Sequence, residues 1–325
     1  MRLVMFGTGP FAAPTFCALF DTPHQVVGLV TQPPRIVRGK PAGAASPVRV
    51  EAERRGAPIL DPADINTAES RAALAAWKAD LFVVADYGQI LSAESLALPP
   101  QGAINLHGSL LPKYRGAAPI NWAVFHGDPI VGVSVIGMTP RIDAGPVFAQ
   151  AQLNVEAGET AVDLETRLAA LGAPLVCNLL DLIERGATTP LAQDMSLATK
   201  ARRLRKTDGV IDWTHGATAI ENQWRALQPW PGCYTYWHRA AGEPVRLILG
   251  RVRAASAEQA PTEQRPPGEI LLAEASQLHV MTGDGALSIE QVQPAGRQMM
   301  SVADFLRGNP VRAGDRLGPG AEDSV

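Results

Sequence analysis

Short β-branched runs alternating with helix-compatible segments fill the first part of the chain, and no other feature restricts its fold as much. Leu3–Phe6, Val26–Val30, Leu81–Ala85, Ala103–Leu106 and Val131–Ile136 read as strands. Phe11–Phe20 and Pro47–Arg55 read as helices between them. Strands that alternate with helices form a mostly parallel sheet covered on both faces. A longer helix is expected from about Thr160 to Arg185. There Leu164, Leu168, Leu171, Leu175, Leu179 and Leu182 recur at steps of three and four, one apolar stripe suited to packing.

The texture then changes. Val245–Leu249, Gly268–Leu272, Leu278–Met281 and Leu287–Ile289 are short strand-like runs broken by Gly and Pro, the pattern of a small sandwich or barrel. Gln259–Pro267 is polar and proline-rich and reads as a surface loop. A length of 325 residues fits two domains. The expected division is a first domain over 1–189, a basic linker over 190–206 and a second domain over 207–325.

Composition excludes several classes. No run of about 18 consecutive apolar residues is present, so no transmembrane helix is expected. The start, Met1-Arg2-Leu3-Val4-Met5-Phe6-Gly7, is too short for a secretory signal and reads as the first strand. Cys17, Cys177 and Cys233 are odd in number and far apart. They suit neither a zinc site nor a disulfide scaffold, and they point to a reducing cytoplasm. The net charge of −3 and pI of about 6.1 give no global field for nucleic acid, so an RNA partner needs a local patch. Lys200, Arg202, Arg203, Arg205 and Lys206, five cations in seven residues, supply one candidate; the alternative is a solvated linker.

Gly7-Thr8-Gly9-Pro10-Phe11-Ala12 has the outline of a dinucleotide-binding turn. The second strand, however, ends in Val30-Thr31-Gln32 with no acid for a ribose, and Pro10 lacks a donor. A plain tight turn fits better than a nicotinamide-dependent dehydrogenase. The stronger constellation is Asn105-Leu106-His107-Gly108-Ser109-Leu110-Leu111-Pro112, followed by Lys113-Tyr114-Arg115-Gly116-Ala117-Ala118-Pro119-Ile120. Alternation places Asn105 and His107 on one face at a strand end, where open α/β sheets bind ligands. Asp143 follows the later strand and is expected to reach the same end of the sheet.

These motifs resemble the signature of the folate-dependent formyltransferases. Asn105, His107 and Asp143 match that family's catalytic trio, Ser109, Leu110, Leu111 and Pro112 its folate-contacting segment, and Ala85–Ile90, with Tyr87, Gly88, Gln89 and Ile90, its pterin-flanking loop. Ile211-Asp212-Trp213, Ile220–Arg225, Pro229–Gly232, Gln293–Gly296 and Met300-Ser301 are similar to the second domain of the members that act on methionyl-tRNA. The chain departs from the pattern at Gly9-Pro10, at Pro146 and in the register of Arg35, Arg38 and Lys40, which belong to a loop that grips the acceptor end in the family.

The resemblance implies a Rossmann-like first domain, an OB-like barrel, and a monomeric enzyme. Its reaction would move the formyl group of 10-formyltetrahydrofolate to the α-amino group of initiator methionyl-tRNA, without a metal. Asn105 and His107 would meet the charge that develops on the formyl oxygen, and Asp143 would orient His107, hold its proton or relay one. An amino-sugar nucleotide or a glycinamide nucleotide is the alternative acceptor, and a non-catalytic folate- or RNA-binding protein fits the intact trio less well.

Overall fold

Seven strands form the first sheet: β1 (Arg2–Phe6), β2 (Gln25–Val30), β3 (Ile59–Leu60), β4 (Leu81–Val84), β5 (Ala103–His107), β6 (Ile130–Gly137) and β7 (Val147–Asn154). Their order is β7-β6-β5-β4-β1-β2-β3. β1 to β5 pair in parallel, whereas β6 and β7 join antiparallel. The order reverses at β1, the position at which open α/β sheets bind ligands at the carboxyl ends of their strands. Leu3, Val4, Met5 and Phe6 are wholly buried, as a central strand covered on both faces requires. β7 lies at the edge, and its Ala- and Gln-rich sequence explains why no strand is legible there.

The computed structural model describes residues 1–34, 36–37, 40–41, 45–239, 242–255 and 265–320, excepting the side chains at 36, 37, 40 and 41. Most of the expected loop Gln259–Pro267 therefore lies outside the described residues. The chain divides into a first unit of Met1–Ile120, Pro129–Glu156 and Val162–Arg203, and a second of Asn121–Asp128, Ala157–Ala161 and Leu204–Val325. Two short pieces thus cluster with the second unit. Asn121 Nδ2 donates to Ala226 O (2.8 Å), and Arg225 Nη1 donates to Glu159 O (2.8 Å).

The long helix runs over Ala161–Glu184 and is long and apolar enough, by composition, to cross a membrane. Its inner face differs from the leucine count. Leu164, Leu168 and Leu179 are buried, but Leu182 is 43% exposed, and Val176, Leu180 and Ile183 complete the buried face instead. The reason is close approach: a Cβ added at Gly172 would come within 2.6 Å of Leu106 Cδ2 on β5. Small residues therefore sit over the sheet, and the leucines at 171, 175 and 182 lie toward the flank.

The second unit is built on β8 (Cys233–His238), β9 (Val245–Ala254), β10 (Ile270–Glu274), β11 (Gln277–Met281), β12 (Ala286–Pro294) and β13 (Arg316–Gly318). The order β10-β11-β12-β9-β8-β13 is antiparallel throughout. The two ends of that order meet. Ile270 N donates to Asp315 O (2.8 Å) and Leu317 N donates to Gly268 O (2.7 Å), so the sheet closes into an OB-like barrel. Trp213 is buried, with Nε1 donating to Thr235 Oγ1 (3.0 Å), and Trp237 packs edge-on against Phe305.

Candidate active site

β5 carries the site because the pleat alternates. Leu106 faces the long helix at Gly172, so Asn105 and His107 project from the opposite face. Asp143 joins them by an unexpected route. β6 runs antiparallel to β5, pairing Gly137 with Ile104, so its carboxyl end lies at the amino end of β5. The turn after β6 must therefore fold back across the sheet. Met138 N donates to Ala103 O (2.8 Å), and Gly145 packs so tightly that an added Cβ would come within 1.7 Å of Gly137 O. Asp143 itself adopts φ 48°, a left-handed backbone that Asp tolerates better than most residues.

The three side chains converge. Asn105 Nδ2 donates to Asp143 Oδ1 (3.4 Å), and His107 Nδ1 lies 3.6 Å from Asp143 Oδ2. Gly116 N donates to the same Oδ2 (2.8 Å). His107 is buried, and its Nε2 lies 2.9 Å from Tyr114 O. A carbonyl only accepts, so Nε2 carries hydrogen. A neutral ring then turns the lone pair of Nδ1 toward the carboxylate; a charged ring turns an N–H toward it. His107 Nδ1 and Asp143 Oδ2 thus face each other across 3.6 Å.

Residues 1–179 match the formyl transferase family, and residues 203–310 match its C-terminal domain. The chain belongs to the formyl transferase family. Methionyl-tRNA formyltransferase of Roseiflexus castenholzii is 41% identical over 98% of this chain and 99% of its own length. Its counterpart in Bacillus licheniformis is 37% identical over 98% of each. Among solved structures, an N-formyltransferase from Helicobacter canadensis superposes with a TM-score of 0.63 at 15% identity, covering 90% of this chain and 99% of that one. HypX from Aquifex aeolicus in complex with tetrahydrofolic acid gives 0.61 at 17% identity, covering 94% of this chain and 47% of that one. Likeness at that identity bears on the fold alone.

In this formyl transferase the segment expected to contact folate spends its polar groups internally. Ser109 Oγ donates to Lys113 O (2.7 Å), Ser134 Oγ to Ser109 O (2.6 Å), and Leu111 N to Ser134 Oγ (3.0 Å). Gln150 Nε2 donates to Leu111 O (2.9 Å). Leu111 is buried, while Leu110, packed over Gly132, and Pro112 are half-buried. The other expected loop divides similarly. Tyr87 is buried edge-on against Phe6, and Gln89 braces the 62–65 turn through Ile65 N and Pro62 O. Gly88 takes φ 89°, and Ile90 is 64% exposed. Asp86, in the same loop, has a carboxyl that desolvation raises to about 6 although Gly9 N–H bonds to it.

Of the expected tRNA contacts, Arg35 and Arg38 lie outside the described residues, as does the side chain of Lys40. Lys200, Arg202, Arg203, Arg205 and Lys206 are all exposed, and Ala201 and Leu204 between them are buried. Their backbone is not a free tether. Lys200–Ala201 pairs in parallel with Arg115–Gly116, and Ala201 O accepts from Ala117 N (2.8 Å). Sequence reading overlooked Gln193, whose side chain meets both Arg115 and the Asp143 turn; a lone Gln in a polar stretch carries no signal.

Proposed function

We propose that this enzyme transfers the formyl group of 10-formyltetrahydrofolate to the α-amino group of initiator methionyl-tRNA. The observation that carries the acceptor is identity of 37–41% along the whole length, second domain included, with relatives named for methionyl-tRNA. The convergence of Asn105, His107 and Asp143 supports the chemistry.

The donor supplies an activated one-carbon group, and the chain's residues supply position, charge and a proton store. Asn105 offers an amide N–H, and His107 an imidazole N–H, to oxygen that gains negative charge as the amine attacks. Asp143 keeps that imidazole in register, takes up the proton released by the amine, and returns it to the folate nitrogen as the donor's formyl C–N bond breaks. Ile90, Leu110 and Pro112 offer apolar surface to the donor's ring, and Lys200, Arg202, Arg203, Arg205 and Lys206 offer charge to the tRNA backbone. The three cysteines are free thiols, in keeping with a cytoplasmic enzyme.

Transfer of labelled formyl is measured with methionyl-tRNA, free methionine and an amino-sugar nucleotide offered together. Label on the charged tRNA alone is the expected result. Label on the sugar nucleotide would retain the site and replace the acceptor.

A further inference from the structure

Residues 180–202 lie between the two family matches, and part of this stretch closes over the catalytic turn. Leu191 and Val147 exchange two backbone hydrogen bonds (2.8 Å each). Thr199 Oγ1 accepts from Tyr114 N (2.8 Å), and Thr199 O accepts from Arg115 N (2.9 Å). Gln193 stands between these anchor points and uses both ends of its amide. Its Nε2 donates to Asp143 O (2.9 Å) and Gly145 O (2.7 Å). Its Oε1 accepts from Arg115 Nη2 (2.6 Å) and Nε (3.1 Å).

We propose that Gln193 is a positioning residue that sets the Asp143 carboxylate against His107 through the backbone of the Asp143 turn. The inference rests on the reading of Asn105, His107 and Asp143 as the reacting groups. The physical need is clear. Asp143 arrives on a nine-residue connection between β6 and β7, against the strand direction, and in a left-handed backbone. One amide bridging two carbonyls of that turn fixes its curvature. Arg115 holds the amide's oxygen and so excludes the flipped rotamer, which would set an acceptor against both carbonyls. A shift of about 1 Å at a reacting group costs on the order of 100-fold in rate.

Two variants separate this role from general stability. Gln193→Ala removes the whole bridge. Gln193→Glu keeps the acceptor for Arg115 and replaces the donors to Asp143 O and Gly145 O by an acceptor. Formyl transfer is measured at saturation for each variant, alone and in an Asp143→Asn background, beside thermal unfolding midpoints. Both single variants should lose about 10- to 100-fold in kcat with KM for either substrate unchanged. In the Asp143→Asn background the further loss should shrink to about twofold or less, because the bridge acts through that carboxylate. Undiminished kcat in both single variants, or the full loss repeated in the Asp143→Asn background, would overturn the inference. An Asp143→Asn enzyme of normal activity would instead remove the reading of the site on which it rests.

Discussion

At the scale of single residues, Asn105 and His107 each bring a polar atom within 3.6 Å of the Asp143 carboxylate. Asn105→Ala removes a fixed donor, and kcat should fall about 10²- to 10³-fold. If Asp143 does the proposed acid–base work, Asp143→Ala should lower kcat about 10²- to 10⁴-fold. Both variants should keep the circular dichroism and unfolding midpoint of the parent; near-normal turnover in either would dismiss that residue. Asp86 is a different case, because its carboxylate fills the turn that otherwise looks made for a nucleotide. A Cβ at Gly9 would come within 1.8 Å of Asp86 Oδ2, so the protein's own anion occupies the glycine turn. Desolvation raises this carboxyl to about 6, above the value of about 3.9 in an unfolded chain. The folded state therefore binds this proton more tightly than the unfolded state. The ionised form carries a penalty that is complete above pH 6 and gone below about pH 4. Asp86→Asn should raise the unfolding midpoint at pH 8, with the gain fading as pH falls toward 4. Equal gains at both ends of that range would mean that its charge is not the cause.

At the scale of elements, β5 is held from behind. Gly172 lets the helix Ala161–Glu184 approach Leu106, whose neighbours Asn105 and His107 look the other way. In an exposed helix Gly→Ala gains about 1 kcal/mol. Here the added methyl must displace Leu106 from a full layer, at a cost of about 1–3 kcal/mol. Gly172→Ala should therefore be destabilising by about 1 kcal/mol, read from chemical denaturation, and a stabilised protein would contradict the packing. This helix also shows how far a period can be read. The 3.6-residue repeat located the element to within a residue at each end. The leucines misplaced its inner face, since contact distance, not hydrophobicity alone, chose which residues turn inward.

At the scale of the whole molecule, the net charge of −3 offers RNA no general attraction, so binding must come from local cations. The exposed run at Lys200, Arg202, Arg203, Arg205 and Lys206 is the place to test. If these residues neutralise phosphates, replacing Arg202, Arg203 and Arg205 by Gln should reduce the slope of log K against log salt by about 2 to 3. An unchanged slope would return the segment to a structural role, pairing with Arg115–Gly116.

Much of this molecule was legible locally. Alternation in Asn105-Leu106-His107 set two polar groups on one face of a strand, and the structure has them so. Punctuated runs from Val245 onward marked strands of the barrel, though β8 and the closure through Gly268, Ile270, Asp315 and Leu317 were not visible. Periods of two and 3.6 residues record what neighbours in the chain do, and that much the sequence determined by itself. The direction of β6, the return of Asp143 across the sheet and the grip of Gln193 upon it depend on hydrogen bonds between segments tens of residues apart. No local period encodes such bonds, so only the tertiary structure decided them.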